Sequence, residues 1–453
     1  MKGITRVLVA NRGEIAVRVI RACQDLGVET VIAISEADRE SLPVRMADRT
    51  ICIGPARSQD SYLKVNTIVA AALGTDCDAI HPGYGFLCEQ PELPETCAQH
   101  GLIFIGPTAD NIRQMGDKIL ARKIAEEVGV PVTPGSELVQ NVNAAMVTAD
   151  NVGYPVLLKA SAGGGGRGMV VVNSHDEMGV AYDVASGEAQ AAFGDHRLYF
   201  EHYVRNARHI EVQIVGDHLG QVIHLGERDC SIQRRYQKIL EEAPSPVVSA
   251  GLREKMVAAA IALANHIHYE SVGTVEFLFD MDCGQFYFME MNTRIQVEHP
   301  VTEMVSGVDL VKEQIRLAAH HPLSLSQSEV QLTGHAIECR INAESPEDSF
   351  RSCPGRINQW LPPEGQGIRV DSHCYSGYMV PPYYDSLLAK VVTKGSNRVE
   401  AIERMKYALA NFVISGVNTT LLFHRRLLDH PDYVNSHVNT CWAQEVLLEG
   451  EAT

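Results

Sequence analysis

The rhythm of apolar and polar residues changes along this chain, and each change marks a region. From residue 1 to about 115, short apolar runs alternate with helical patterns. Val7–Ala10, Val31–Ile34, Thr50–Ile53, Ala79–Ile80 and Ile103–Ile105 read as short buried strands. Glu14–Leu26 and Asn66–Ala72 read as helices between them. Such alternation predicts a parallel sheet with helices on both faces. The first turn, Asn11-Arg12-Gly13-Glu14, lacks the Gly-x-Gly-x-x-Gly spacing, which argues against a dinucleotide site there.

Asp117–Val128 then reads as a helix, closed by Gly129-Val-Pro131. Residues about 132–205 read as a small α/β unit: strand Pro155–Lys159, a glycine loop, strand Met169–Val172 and helix His175–Gly187. Strands dominate to about Glu242, and a helix follows at Leu252–His268. From Gly334 a third region begins, with strands at His335–Asn342, Ile357–Trp360 and Leu387–Val392 and helices at Arg398–Ala410 and Thr419–Leu427. No repeat, low-complexity tract or long linker interrupts the pattern.

The most informative stretch is the alternation of Glu290, Asn292, Arg294, Gln296 and Glu298. Upstream, Val275–Asp280 and Phe286–Met291 flank Met281-Asp-Cys-Gly-Gln285, which reads as a hairpin. A hairpin symmetric about Cys283 sets Glu276 opposite Glu290. Facing like charges are destabilising, so a cation between them is implied, and hard oxygen ligands suit Mg²⁺ on a nucleotide phosphate. If the chain stays extended past Glu290, two amides, a guanidinium and a third carboxylate share that face. Phe277, Phe279, Tyr287 and Met289 would pack the other. The alternative is a solvated strand face.

Three further runs carry polar groups. Ser161-Ala-Gly-Gly-Gly-Gly-Arg-Gly-Met169 has Gly-x-Gly-x-x-Gly spacing but precedes a strand, not a helix, and has no P-loop ending. A strand–glycine loop–strand suits a flap over phosphates, with Lys159 just before it, or a surface turn. Glu227–Lys238 is dense in polar groups between apolar strands, as an anion site or a solvated edge strand. Arg340 lies in an alternating run, Glu338–Glu344, where it faces a cleft or pairs with a carboxylate on the sheet surface. His81-Pro-Gly-Tyr84 follows a buried strand, at the edge where α/β folds bind ligands or as a simple cap. His209 on a strand is more often structural.

Composition narrows the class. The 453 residues suggest two to four domains, at about 100–200 residues each. A net charge of −17 disfavours nucleic acid or an anionic membrane as a general partner. The apolar runs are too short to span a bilayer, and an early strand leaves no room for a leader. Eleven cysteines without a Cys-x-x-Cys pair read as reduced cytoplasmic thiols, mostly core.

Taken together, these residues resemble the biotin carboxylases, the ATP-grasp subunits of biotin-dependent carboxylases. The likeness runs from Val7-Leu-Val-Ala-Asn-Arg-Gly-Glu-Ile-Ala16 past Pro381-Pro-Tyr-Tyr-Asp-Ser386. His81–Leu87, Met115–Lys118, Gly163–Met169, Glu227–Lys238, Glu290–Glu303 and Gly334–Glu344 match in order. The resemblance implies an α/β protein, α+β in its C-terminal part. A parallel-sheet, Rossmann-like domain would span 1–115 and an ATP-grasp domain 116–333, with a mobile lid at about 132–203. A mixed α/β domain would span 334–453.

It also implies roles. Lys118, Lys159, the flap at Gly164, Gly165 and Gly166, His209, Gln233 and Tyr236 would bind ATP, with Glu201, His202 and Val204 as the adenine hinge. Glu276, Glu290 and Asn292 would hold Mg²⁺ or Mn²⁺. Lys238, Arg294, Gln296 and Val297 would hold bicarbonate, with Glu298 as base. Arg340 would stabilise the biotin enolate, and Tyr84 and Asp385 would lie at the biotin site. Arg18 and Arg21 would fall on a homodimer surface. The implied activity is ATP- and bicarbonate-dependent carboxylation of biotin, the first half-reaction of an acetyl-CoA or other acyl-CoA carboxylase. No Ala/Val-Met-Lys-Met acceptor motif is present, so biotin would arrive on a separate carboxyl carrier protein, and carboxyltransferase subunits would complete the assembly. Tyr236 departs from the family, standing where histidine is usual in the bacterial acetyl-CoA carboxylase subunit. The loop at 281–285 is about two residues longer, and Phe350–Pro354 replaces a more apolar stretch. A carbamoyl-phosphate-forming ligase and a non-catalytic assembly subunit are the rival readings.

Overall fold

A computed structural model describes residues 3–161 and 169–445. The glycine flap, with Gly164, Gly165 and Gly166, lies outside the described residues. Five strands, β1 (Arg6–Val9), β2 (Glu29–Ser35), β3 (Arg49–Gly54), β4 (Ala79–His81) and β5 (Ile103–Phe104), form one sheet in the order β3-β2-β1-β4-β5. Every pairing is parallel. Helices cover both faces, so Val7, Leu8 and Val9 are all buried and the strand reads as a continuous apolar run. Strand order reverses between β1 and β4, where α/β sheets open a crevice. There the Asn11 side chain donates to the carbonyls of Pro82 at 2.6 Å and Tyr84 at 2.7 Å, tying the two loops together.

β6 (Val156–Ala160), β7 (Met169–Val172) and β8 (Leu198–His202) make a separate antiparallel sheet, ordered β7-β6-β8. It packs its own core, with Val156, Leu158, Leu198 and Phe200 against Ala145, Ala149, Ala185 and Ala189 of two helices. The second helix, Met178–Phe193, outruns the expected end at Gly187. An interior glycine weakens a helix without ending it. The end comes at Gly194, whose φ of 72° is left-handed.

The largest sheet has eight strands. β9 (Ala207–Gly216), β10 (Val222–Arg234), β11 (Gln237–Ala243), β12 (Ser271–Asp280), β13 (Gln285–Asn292) and β14 (His335–Asn342) join the strands Leu387–Gly395 and Ile368–Ser372. The order is β13-β12-β9-β10-β11-β14, then Leu387–Gly395 and Ile368–Ser372. β14 pairs with β11 through Leu240↔Cys339, so the sheet runs on through the region that begins at Gly334. β10 and β11 are central, and the edge-strand reading of Glu227–Lys238 fails. None of the eleven cysteines forms a disulfide, and seven are buried. Among the described residues no helix is long and apolar enough to cross a membrane.

Two local expectations need correction. The β12–β13 hairpin does set Glu276 opposite Glu290, but a bulge then pairs Phe277 with Phe288. Met289 is the extra residue. Phe286 and Phe288 therefore join Phe277 and Phe279 in the core, and Tyr287 and Met289 do not. The alternation also stops at Asn292. Residues 293–298 turn into the helix His299–Ser306, which carries Pro300 in its first turn.

Candidate active site

The site is built on one face of the large sheet. On β9, His209, Glu211 and Gln213 lie two apart and share a face. β12 contributes Glu276, β11 contributes Lys238 and β14 contributes Arg340. The turn 293–298 folds back over this face, so its side chains converge although the strand has ended.

Lys238 is the hub. Its Nζ donates to Glu211 at 2.6 Å, Glu276 at 2.9 Å, Gln296 at 3.1 Å and Glu298 at 2.6 Å. Burial alone would lower its pKa, but three carboxylates outweigh burial and hold it well above the usual lysine range. Glu298 is the mirror case. Burial would raise its pKa, yet Lys238, Arg340 and Arg228 hold it low, as an anion. Arg340 donates to Glu298 Oε2 at 2.9 Å and, through Nε, to Glu241 at 2.7 Å. Burial pushes Glu241 up to about 7 against the pull of Arg340. Arg340 thus faces the cleft and pairs with carboxylates at once.

Around this lattice lie the remaining candidates. Asn292 donates to Glu276 at 2.9 Å and accepts from Arg294 at 2.7 Å. Arg294 also donates to Glu89 at 2.8 Å. His209 Nε2 stands 3.1 Å from Glu276, and its Nδ1 contacts Gln233 at 3.0 Å, so it belongs to the site. Glu290 is half-exposed and 3.7 Å from Lys118. Lys159 Nζ donates to Glu201 at 2.5 Å, and Arg122 adds a bond to the same carboxylate at 3.3 Å. The Glu201 side chain is therefore occupied.

These residues line two adjoining cavities. One, of about 600 Å³, is bounded by Tyr84, Lys118, Lys159, His209, Lys238, Glu276, Glu290, Asn292, Arg294, Gln296, Val297, Glu298, Arg340 and Asp385. The second, of about 550 Å³, is bounded by Glu201, His202, Val204 and apolar Leu157, Leu278 and Met289. Lys159, His209, Gln233 and Tyr236 line both. Tyr236 and Arg235 form the β10–β11 turn at φ of 63° and 48°. Non-glycine residues in the left-handed region cost about 1–3 kcal/mol each and cluster at functional sites.

A divalent cation fits this donor set. Glu276, Glu290 and the Asn292 amide supply hard oxygen atoms on the wall of the first cavity, beside lysines suited to phosphate. Among the described residues, tight groups of possible ligand atoms are His209, Glu211, Glu276 and Glu211, Cys230, Glu298. Glu290 stands outside both groups.

Sequence reasoning missed Glu211, Glu241 and Glu89, which hold Lys238, Arg340 and Arg294. Glu211 had a signal in the two-residue spacing from His209. Glu241 and Glu242 are adjacent, and no pattern says which one faces the cleft. Cys441 and Gln444, which line the second cavity, come from a distant helix and had no signal. Arg18 corrects an expectation. It is buried against Glu303 at 2.8 Å and Asp309 at 2.5 Å, and only Arg21 of the pair is exposed. The two acids give Arg18 partners inside the fold, so it is not free to form a surface.

Comparison with known proteins adds independent findings. Family models match in three consecutive stretches: the N-terminal domain of biotin carboxylase over residues 3–112, the ATP-binding domain of the carbamoyl-phosphate synthase L chain over 117–326, and the C-terminal domain of biotin carboxylase over 338–445. The biotin carboxylase of Nostoc sp. is 54% identical over 97% of this chain and 99% of its own. A Campylobacter jejuni biotin carboxylase complex with β,γ-ATP superposes with a TM-score of 0.95 at 47% identity, covering 98% of this chain and 99% of that one. The biotin carboxylase domain dimer of Hydrogenobacter thermophilus 2-oxoglutarate carboxylase, with MgADP, ADP and bicarbonate, also reaches 0.95 at 45% identity, covering 98% of this chain and 98% of that one.

Proposed function

The chain belongs to the biotin carboxylase family, and from that premise we propose which of its residues carry an ATP-dependent carboxylation of biotin. One observation carries the reading: a single buried ammonium, Lys238, gathers Glu211, Glu276, Gln296 and Glu298 within 3.1 Å, while Arg340 holds the other oxygen of Glu298. The division into domains at 1–115, 116–333 and 334–453 belongs to the same proposal.

Bicarbonate is a poor electrophile at neutral pH, so ATP must first convert it to carboxyphosphate. Lys118, Lys159 and His209 hold the phosphates, and the apolar second cavity takes the base of ATP, with the backbone of Glu201–Val204 along it. Glu276, Glu290 and Asn292 would hold Mg²⁺ or Mn²⁺, which when bound draws charge from the transferring phosphate. Lys238, Arg294, Gln296 and the Val297 backbone hold bicarbonate. Glu298 takes its proton. A carboxylate held this low is a weak base, but bicarbonate brings a second negative charge and lifts the Glu298 pKa. The deprotonated oxygen attacks the γ-phosphorus, and ADP leaves with the electron pair of the broken bond. Carboxyphosphate then breaks its C–O bond, the released phosphate takes the ureido N–H proton of biotin, and the nitrogen bonds the freed carboxyl carbon. Arg340, beside Tyr84 and Asp385, faces the ureido oxygen and stabilises the enolate left by that deprotonation.

Biotin would arrive on a separate carrier protein, and carboxyltransferase subunits would choose the final acceptor. The protein would act in the cytoplasm as a homodimer. ATP hydrolysis measured with bicarbonate, with and without free biotin, tests the reading. Biotin should raise hydrolysis that depends on bicarbonate. Hydrolysis indifferent to biotin would favour a carbamoyl-phosphate-type ligase, and no hydrolysis would favour an assembly subunit.

A further inference from the structure

Lys390 is the one fully buried lysine among the described residues. It lies on the strand Leu387–Gly395, directly across from Arg340 on β14. Its Nζ donates to the Val297 carbonyl at 2.8 Å and pairs with Glu14 Oε1 at 3.0 Å. That same Glu14 oxygen accepts the Tyr84 hydroxyl. Glu14 opens the helix Gly13–Asp25 and is 3% exposed, and its second oxygen has no hydrogen-bond partner among the described residues. Two charges and a phenol from three distant stretches thus meet in the interior. Asp371, His299 and Glu338 surround them.

Burying such a pair costs several kcal/mol of desolvation per ion, and well-packed apolar residues often serve stability as well or better. Stability is therefore a weak reason for it. The pair's reach is more informative. One end holds Val297, on the turn that carries Gln296 and Glu298. The other holds Tyr84, which lines the same 600 Å³ cavity as Val297. We propose that Lys390 and Glu14 are positioning residues. They fix the spacing between the bicarbonate-side turn and the biotin-side tyrosine, so that the carboxyl group forms within reach of its acceptor. The inference rests on the function proposed above and assigns the pair no direct contact with substrate.

The test is a pair of variants assayed for biotin-dependent ATP hydrolysis. Lys390→Met alone leaves Glu14 buried without its cation and costs stability; Glu14→Gln/Lys390→Met removes both charges and keeps an acceptor for Tyr84. The double variant should melt close to the wild-type temperature, with an unchanged KM for ATP. Its KM for bicarbonate should rise and its kcat fall by about 10- to 100-fold, as expected when reacting groups shift by a fraction of an ångström to one ångström. Wild-type kcat and bicarbonate KM in the double variant would overturn the inference. So would ATP and bicarbonate KM values that rise together with a lower melting temperature, which would mean general loosening. Wild-type protein without bicarbonate-dependent hydrolysis would instead overturn the functional reading on which the inference stands.

Discussion

The two halves of the cleft are built in opposite ways. On the large sheet, the buried candidate side chains lock one another: Lys238 by three carboxylates, Glu298 by Lys238 and Arg340, Arg294 by Glu89 and Asn292. The three-stranded unit carries Lys159 and Glu201, an ion pair that Arg122 joins from a neighbouring helix, and its apolar core is its own. The first half is preorganised before any substrate enters. The second is a separately packed layer, joined by bridges from Gly135 and Val139 to β8, and under the proposed function it would move as a body to admit nucleotide. Bicarbonate chemistry needs fixed charges, and nucleotide exchange needs an opening. Under the proposed function, these two demands would fall to different sheets.

The contrast breaks most sharply at Glu298. Glu298→Gln leaves the phosphate residues untouched and keeps Lys238 partnered by Glu211 and Glu276. Bicarbonate-dependent turnover should fall by about 10²–10⁴-fold while ATP binding holds. Turnover at the wild-type rate, with nucleotide affinity measured on the same preparation, would remove Glu298 from the mechanism.

The facing carboxylates give the next effect. Glu276→Gln and Glu290→Gln should each raise the Mg²⁺ concentration needed for half-maximal turnover, by about 10- to 100-fold for a lost ligand interaction. Their stabilities should differ. Glu276 is buried among Lys238, His209, Asn292 and Gln296, so its loss should cost about 1–3 kcal/mol. Glu290 is half-exposed, so its loss should stay within about 0.5 kcal/mol. Normal metal dependence in both variants would sink the metal assignment.

Mobility is the third test. At a nucleotide concentration 100 times its Kd, openings that release nucleotide should become about 2.7 kcal/mol costlier. Amide exchange should slow over Val156–Ala160 and Met169–Val172, and stay unchanged over the paired core of β10 and β11. Equal slowing of both sheets would erase the distinction drawn between them.

Much of this was legible in the sequence because backbone period and side-chain chemistry agreed. The parallel strands, the Glu276–Glu290 pairing and the β14 boundaries follow from local rhythm, and most of the described motif residues from Tyr84 to Asp385 line the first cavity, with Glu201, His202 and Val204 on the second. What was not legible has physical causes. A bulge at Met289 changes faces without changing composition. The turn at 293–298 converges on Lys238 by tertiary folding, where an extended strand was expected. Glu211, Glu241 and Glu89 act through other side chains, and such support carries no motif. Arg18 shows the reverse: a helix residue that matches a surface motif can find its partners inside.

The last contrast separates the halves by acid. Burial holds His81 and His373 at about 3 and His424 at about 4, with Arg18 and Arg12 adding repulsion at the first two. Each is lowered relative to the unfolded value near 6.5, so below that pH the unfolded chain binds more protons and stability falls as pH falls. For His424 the loss is about 2 kcal/mol by pH 5, at 1.36 kcal/mol per pH unit. All three lie outside residues 132–203, and His424 donates to the Arg340 carbonyl at 2.7 Å, so acid should loosen the large-sheet body. Both tryptophans, Trp360 and Trp442, are buried in that body and report on it by fluorescence. Their melting temperature should drop between pH 7 and pH 5, and His424→Gln should flatten the drop by its own share. A melting temperature independent of pH over that range would mean that the buried histidines do not set the acid response, and that the two halves share one stability.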